Sequence, residues 1–212
     1  MMKGNRLKAL CAVFAGLAVG IGATGPAAAE TPKHGGILKY VVPAEPPSFD
    51  GHRETTFALI HPIAPFYSLL IRVKPDEPYK SGNFECDLCT EMAKPTDGGK
   101  TYTFHIRKGV KFSDGSDLTA KDVVATFNKI IFPPKGVASA RKAFFIAVKS
   151  VSAPDDYTVV FKLKYPSGAF IPALANPFNF IYSKASIENS LRFIKKVERT
   201  VIIFPPNSVS IT

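Results

Sequence analysis

The clearest hydrophobic pattern along the chain is a strict alternation of apolar and polar side chains at residues 101–107. The apolar positions are Tyr102, Phe104 and Ile106. A period of two residues predicts a half-buried β-strand, with His105 on the opposite face, towards solvent or another surface. The Asp-Gly-Gly sequence at residues 97–99 favours a tight turn, so we expect the strand to begin directly after it.

A pattern with helical spacing follows this strand. Its apolar side chains recur three and four residues apart, at Val123, Val124, Phe127, Ile130 and Ile131. Thr119 is suited to cap the first turn, and Asp122 lies three residues further on, where a capping partner belongs. We therefore predict a helix that begins after Thr119 and ends before the two prolines at residues 133–134.

Two later apolar runs, at residues 144–151 and 157–163, predict a pair of strands joined by a turn at residues 153–156. The sequence of residues 158–161 is rich in β-branched side chains and is typical of a central strand.

The last readable elements are weaker. Residues 167–174 suit a short helix, although Pro172 lies near its middle, and residues 176–182 predict an extended segment. Helical and extended patterns are mixed without strict alternation, which favours a mixed α and β fold.

Proline also divides the N-terminal part of the chain. Residues 37–42 predict a buried strand, and prolines end it, so residues 44–50 should form a loop at the carboxyl end of that strand. In open α/β sheets, ligands bind at this edge. Residues 55–71 predict two short helices separated by a proline break, the second ending near Leu70.

The first 29 residues predict a signal peptide, with a basic start, an apolar stretch at residues 9–23 and Ala-Ala-Ala before Glu30. An uncleaved anchor and a lipoprotein modified at Cys11 are the alternatives. The formal net charge is +10, but three of the positive charges belong to this leader. No run of five basic residues appears, which argues against nucleic acid as a partner.

Candidate chemistry is sparse. Cys86 and Cys89 form a Cys-x-x-Cys pair, which predicts a structural disulfide in an oxidising compartment, with buried thiols and a metal or redox function as alternatives. His52 follows the loop at the strand end, and we expect it to be an exposed turn histidine. No Ser-His-Asp constellation and no phosphate-binding loop supports an enzyme, so we expect no catalytic residue, no metal and no cofactor.

The block at residues 97–123, reading DGGKTYTFHIRKGVKFSDGSDLTAKDV, closely resembles the signature of family 5 extracellular solute-binding proteins. Flanking segments extend the resemblance over residues 35–184. It implies an α/β fold class, a mixed α+β lobe of a type II periplasmic binding protein that is incomplete here. Such receptors are usually more than twice as long. No family pattern appears in residues 187–212, so we expect a truncated chain whose tail is read in a shifted frame.

The resemblance implies a periplasmic receptor of an ABC importer, a monomer that binds a peptide or related small molecule and docks on an inner-membrane permease. The predicted cleft wall comes from the loop after the first strand and from the late extended segment, with ligand-binding candidates Ser48, Phe49, His52, Asn176 and Phe178. Plain packing of the phenylalanines is the alternative. Two other functions stay open: a thiol-disulfide redox protein using Cys86 and Cys89, and a stand-alone interaction domain.

Overall fold

The elements of the computed structural model follow the order helix, two short strands, a longer strand, helix, hairpin and two helices. It describes residues 39, 41–42, 44–80 and 82–197, the last seven by backbone only. In chain order the elements are α1 (Phe57–Ile63), β1 (Ile71–Val73), β2 (Phe84–Cys86), β3 (Thr101–His105), α2 (Ala120–Ile131), a 3-10 turn (Lys142–Phe145), β4 (Val148–Asp155), β5 (Thr158–Leu163), α3 (Phe170–Leu174) and α4 (Lys184–Val197).

Some predictions fall on residues outside this description. They are the leader at residues 1–29, residues 37, 38 and 40 of the first predicted strand, and the tail beyond residue 197. The described residues of that predicted strand, 39, 41 and 42, have no strand conformation, and Val41 is 96% exposed, so the prediction of a buried strand is wrong there. Among the helices that the structure describes, none is both long and apolar enough to cross a membrane.

Three strands form an antiparallel sheet in the order β3-β5-β4. The period-two prediction for β3 is confirmed, because Tyr102 and Phe104 are buried while His105 is exposed. The central position predicted for residues 158–161 is confirmed as well, since β5 pairs with both neighbours. In the β3–β5 register, Phe104 lies opposite Val159, so one face of the sheet is continuously apolar.

The helix predicted after Thr119 is confirmed as α2. The Asp122 carboxylate accepts the Thr119 backbone N–H at 2.8 Å and its hydroxyl at 2.9 Å, which satisfies the start of the helix. The helix ends at Ile131, just before the residue that precedes the two prolines, where the helical conformation is disfavoured. Its apolar face, including Val123, Phe127 and Ile130, is buried against the sheet.

The prediction of two helices over residues 55–71 is wrong in its second half. Only α1 forms, with Pro62 inside it, and a turn follows in which the Phe66 N–H donates to the Ile63 carbonyl. The chain then becomes extended because its polar groups bond to the segment after β2. The Leu69 N–H donates to the Asp87 carboxylate at 2.7 Å, and Leu88 donates back to the Leu69 carbonyl.

The hairpin is confirmed with shifted bounds. A 3-10 turn that buries Phe145 takes the start of the predicted strand at residues 144–151, so β4 begins at Val148. The turn between the two strands is tighter than predicted, because β4 continues to Asp155. The Asp155 carboxylate accepts the Tyr157 N–H at 2.8 Å. The late helix is shorter than predicted, spanning Phe170–Leu174.

The main core lies between the sheet and α2, and aromatic rings fill it. Phe161 of β5 lies at its centre, with its ring centroid 5.1 Å from that of Phe127 and 5.3 Å from that of Phe170. A second apolar cluster joins α1 to the late extended segment through contacts among Leu59, Ile60, Ile63, Leu69 and Phe180. Hydrogen bonds between Gly51 and Tyr182 and between His52 and Phe180 place the loop at residues 48–54 beside the same late segment.

Candidate functional site

The loop at residues 48–54 is shaped by its own polar groups. The Asp50 carboxylate accepts the His52 backbone N–H at 3.0 Å, and the Ser48 hydroxyl donates to the Glu54 carboxylate at 2.7 Å. Backbone N–H groups of Arg53 and Glu54 both donate to the Asp50 carbonyl at 3.1 Å. These bonds close the loop into a compact turn in which Gly51 and His52 are both buried.

His52 is buried, with 1% of its surface exposed, so the expectation of an exposed turn histidine is wrong. Its Nε2 lies 2.7 Å from the Phe180 carbonyl oxygen, and its ring centroid lies 4.4 Å from that of Tyr182. The Nδ1 atom is buried without a hydrogen-bond partner among the described residues. The loop turns the imidazole inward because Gly51 permits a close approach. A Cβ added there would lie 2.5 Å from the Phe180 ring.

The electrostatic surroundings of His52 favour its neutral form. Burial, followed by the nearby ammonium of Lys129, lowers the pKa of His52 to about 4. The Phe180 carbonyl and the Asp50 carboxylate act in the opposite direction but do not outweigh burial. At neutral pH the ring therefore donates to the carbonyl as an uncharged imidazole.

Arg141 ties the loop to the late segment. Its guanidinium donates to the backbone carbonyl of His52 at 3.1 Å and to that of Glu54, and it lies 4.2 Å from the centre of the Phe178 ring. A planar guanidinium suits this position, because it can hold two carbonyls in its plane and an aromatic ring on its face. Arg141 is itself buried, so the arrangement is part of the interior.

A second link joins the loop to α2. Lys129 of α2 donates to the Asp50 carboxylate at 3.1 Å, and the lysine side chain is only 9% exposed while the aspartate is 38% exposed. Burial, the largest single influence, would raise the pKa of Asp50, but the charges of Lys129 and His52 and the hydrogen bonds from both residues together outweigh it, so the net shift of the pKa is downward. The Tyr182 hydroxyl accepts the Gly51 N–H at 3.0 Å, and burial raises the pKa of that phenol.

A model of the family described as "Bacterial extracellular solute-binding proteins, family 5 Middle" matches residues 83–200, more than half of the chain. The chain belongs to this family. The resemblance of residues 97–123 to its signature is thereby confirmed. The matched region contains the sheet, α2 and the late segment of the candidate site, while the loop at residues 48–54 precedes it.

Individual relatives are similar over part of their length. The oligopeptide-binding protein AppA of Bacillus subtilis strain 168 is 38% identical over 139 residues, which cover 66% of this chain and 24% of AppA. The probable D,D-dipeptide-binding periplasmic protein DdpA of Escherichia coli K12 is 34% identical over 112 residues, or 53% of this chain and 21% of DdpA. The chain thus spans about a quarter of the length of these relatives.

Solved structures give the same fold class. The structure of Bacillus subtilis AppA with a nonapeptide superposes with a TM-score of 0.60 at 33% identity, covering 74% of this chain and 29% of AppA. A dipeptide binding protein from Pseudoalteromonas sp. SM9913 with Met-Leu gives 0.61 at 26% identity, over 73% of this chain and 33% of that one. The prediction of a mixed lobe of a periplasmic binding protein is therefore confirmed, in part of its length.

The structure brings together part of the predicted site. His52 and Phe178 meet through Arg141, which contacts both. Ser48 is half-buried in the same loop, and Phe49 is 64% exposed beside it. Among the described contacts, the Asn176 side chain makes a local one only: its oxygen accepts the Phe178 N–H at 3.1 Å.

Sequence reasoning missed the residues that hold the site together: Arg141, Lys129 and Tyr182. Each is separated from its partner by more than 75 residues, at 89 for Arg141 to His52, 79 for Lys129 to Asp50 and 131 for Tyr182 to Gly51. One signal was available, because Lys129 lies on the helix between the apolar positions 127 and 130. A lysine there indicates a partner close to the buried face.

Cys86 and Cys89 are joined by a disulfide at the end of β2, with their Cα atoms 5.0 Å apart. Cys89 is fully buried, and neither cysteine lies at a helix N-terminus, where a thiol pKa would be lowered. Asp87 between them accepts the Leu69 N–H, and its carbonyl accepts Arg107 Nε at 2.8 Å. The pair thus fastens a crossing of two segments, and the geometry gives no support to a redox function.

Metal binding finds no support in the same region. Within the described ranges, no group of three or more His, Cys, Asp or Glu side chains is arranged to hold a metal ion.

Proposed function

We propose that this chain is part of the periplasmic substrate-binding component of an ABC importer for peptides or related small solutes. Membership of family 5 supports the receptor class, and the oligopeptide and D,D-dipeptide in the names of two relatives support the class of solute. The observation that carries the proposal is the joining of the loop at residues 48–54 to residues 176–182 through Arg141 and His52. Two distant segments are thereby held as one surface.

In this proposal, some of the five candidate residues contact the solute and the others hold the two segments in place. Phe49 is 64% exposed, so its ring is free to lie against a solute. His52 is buried and Phe178 is half-buried, and through Phe180 and Arg141 they fix the backbone of the two segments. Ser48 and Asn176 shape the two turns through their local hydrogen bonds. A concave site with apolar walls and a few polar anchors needs only such an arrangement.

Export and partners complete the proposal. Residues 1–29 would be removed before Glu30, and the receptor, as a monomer that closes around its solute, would dock on an ABC permease. Intact mass and N-terminal sequencing of the exported chain test the cleavage site. The predicted boundary at residue 186 falls inside α4, and the family match continues to residue 200. A tail at residues 187–212 that is read in a shifted frame stays a prediction.

Amide chemical shifts of the labelled chain, recorded during titration with di- and oligopeptides, test the function. We expect peptide-induced shifts concentrated in residues 48–54 and 176–182, and none with a neutral sugar. We expect affinity weaker than micromolar, because the chain spans 24% of the length of AppA and presents part of a cleft. Micromolar affinity in calorimetry would contradict the partial cleft, and shifts confined to other surfaces would refute the site.

A matched pair of variants sharpens the test. Phe49→Ala should reduce the peptide-induced shifts, because it removes the ring assigned to solute contact. Phe132→Ala removes another partly exposed ring, 45% exposed at the end of α2, and should leave the shifts unchanged. Equal effects of both variants would mean that the shifts report non-specific binding of peptide to exposed aromatic side chains.

A further inference from the structure

A concavity at one end of the three-stranded sheet is surrounded by lysine side chains. Its lining includes the four lysines Lys100, Lys149, Lys162 and Lys164, with Asp97 as the carboxylate among the lining residues. We call this group of four the lysine face.

The backbone pairing of the sheet brings the lysine face together. In the β3–β5 register, Lys162 lies opposite Thr101, the residue that follows Lys100 in the sequence. The Lys100 carbonyl accepts the Leu163 N–H at 2.7 Å, and Leu163 in turn lies opposite the residue before Lys149. The lysines are therefore fixed to one another by ladder hydrogen bonds and do not depend on a mobile loop.

Elsewhere on the described surface, several exposed lysines pair with carboxylates, whereas others, such as Lys94 and Lys135, make no ion pair among the described residues. Examples of the pairs are Lys111 with Asp117 at 2.6 Å, Lys121 with Asp156 at 2.7 Å and Lys184 with Glu188 at 3.7 Å.

The lysine face differs from these single lysines, because it gathers four lysines around one concavity with one carboxylate among the lining residues. Among the described ion pairs, Lys100 is the member of the lysine face that has a carboxylate within reach, Asp97 at 3.8 Å. Within the described residues, Lys149, Lys162 and Lys164 make no ion pair, and the Lys164 ammonium donates to the Ile146 carbonyl at 3.1 Å. Four positive charges thus face one negative charge, which leaves a net charge of about +3 on one small surface.

We propose that the lysine face binds the surface of an anionic phospholipid membrane. Clustered like charges repel one another, so a cluster without internal counter-charges is stabilised by external anions. Lysine is a compact, strongly hydrated charge that suits diffuse attraction to a layer of headgroups. The lining contains neither arginine for bidentate recognition nor aromatic rings for stacking bases, which disfavours nucleic acid.

Membership of an extracellular solute-binding family places the chain where a membrane surface is available. The lysine face would hold the chain near that surface. This inference does not depend on the solute, so failure of peptide binding leaves it intact, and its own failure leaves the proposed function intact.

Co-sedimentation with vesicles of phosphatidylcholine, with and without phosphatidylglycerol, tests the inference. All variants are exported from the same host and purified in the same form, so any leader is common to them. One variant neutralises the lysine face as Lys149→Gln, Lys162→Gln and Lys164→Gln. A control variant removes the same charge from paired lysines as Lys111→Gln, Lys121→Gln and Lys184→Gln. Circular dichroism spectra are compared first, and the single change Lys162→Gln provides a milder test.

We expect the unaltered chain to bind only the vesicles that contain phosphatidylglycerol. Each lysine near such a surface contributes about fivefold to affinity, so the lysine-face variant should bind on the order of 100-fold more weakly. The control variant should keep most of the affinity, and Lys162→Gln should lose about fivefold. Binding should also weaken steeply as salt rises, because the screening length shortens to about 3 Å at about 1 M.

Three outcomes would overturn the inference. The first is an equal loss of affinity in the lysine-face and control variants, and the second is equal binding to vesicles without phosphatidylglycerol. The third is binding to duplex DNA that is as strong as binding to the vesicles and is abolished by the lysine-face substitutions. The first would assign the attraction to overall charge, the second to apolar contact and the third to polyanions in general.

Discussion

Acidification should destabilise the chain through His52, by an amount that follows from its burial. The perturbation is a fall in pH through the range between the ordinary pKa of histidine, 6.5, and about 4, the value to which burial and Lys129 lower it. In the unfolded chain the His52 imidazole takes up a proton near pH 6.5, whereas in the folded chain it stays neutral until the pH falls to about 4. Protons therefore favour the unfolded state, and stability falls as pH falls.

The magnitude comes from the gap between these two pKa values. A gap of about 2.5 units at about 1.4 kcal/mol per unit corresponds to about 3 kcal/mol. This contribution is fully present above about pH 6.5 and is lost by about pH 4. Asp50 does not interfere in this window, because its pKa is lowered from 3.8 and its own contribution is lost only at still lower pH. A loss of this size is a large fraction of the stability of an ordinary domain, about 5–15 kcal/mol.

Chemical unfolding followed by circular dichroism at a series of pH values measures the effect. His52→Gln keeps a donor for the Phe180 carbonyl but does not titrate, so its stability should be lower at neutral pH and much flatter across the window. His105→Gln is the matched control, because it removes an exposed imidazole from β3 and should retain the full slope. In parallel, the imidazole resonances of the histidines report the pKa of His52 directly.

Two results would refute this reasoning. One is a pH dependence of His52→Gln that runs parallel to that of the unaltered chain. The other is an imidazole resonance of His52 that titrates near 6.5, which would mean that the ring is solvated.

Three further outcomes test the fold. Phe161→Ala should cost about 3–5 kcal/mol in denaturant unfolding, because its fully buried ring contacts several others, and a cost below about 1 kcal/mol would contradict that packing. Asp122→Ala should cost about 1–3 kcal/mol in the same assay, since its carboxylate caps α2 and accepts the backbone N–H of Lys184 at 2.7 Å; an unchanged midpoint would refute the cap. Cys86 and Cys89 should resist alkylation until reductant is added, as intact mass would record, and alkylation without reductant would exclude the disulfide.

The elements that could be predicted from the sequence are those whose pattern is local. The alternation in β3 and the three-and-four spacing in α2 each appear within a dozen residues, and both were confirmed. The second helix predicted up to Leu70 failed because a distant segment decides that backbone. The Asp87 carboxylate, 18 residues away, accepts the Leu69 N–H and holds it extended. Prolines alone could not indicate such a partner.

The candidate site was predictable in outline only. Residues 48–52 and 176–180 were both predicted to contribute to one cleft wall, and the structure places these two segments in contact. The burial of His52 was not predictable, because it results from a carbonyl 128 residues away and from Arg141, 89 residues away. A histidine beside a turn has no local feature that distinguishes an exposed ring from a buried one.

The helix α2 explains how such distant segments come to form one surface. Its apolar face packs in the sheet core, while Thr126 and Lys129 point to the candidate site. The Thr126 hydroxyl accepts the Tyr182 N–H at 3.1 Å and lies 3.3 Å from the Tyr182 carbonyl, so it fixes the late segment. Lys129, one turn on, fixes the loop through Asp50. Because one rigid helix holds both segments, a solute that contacts Phe49 would meet a wall positioned by the core of the lobe.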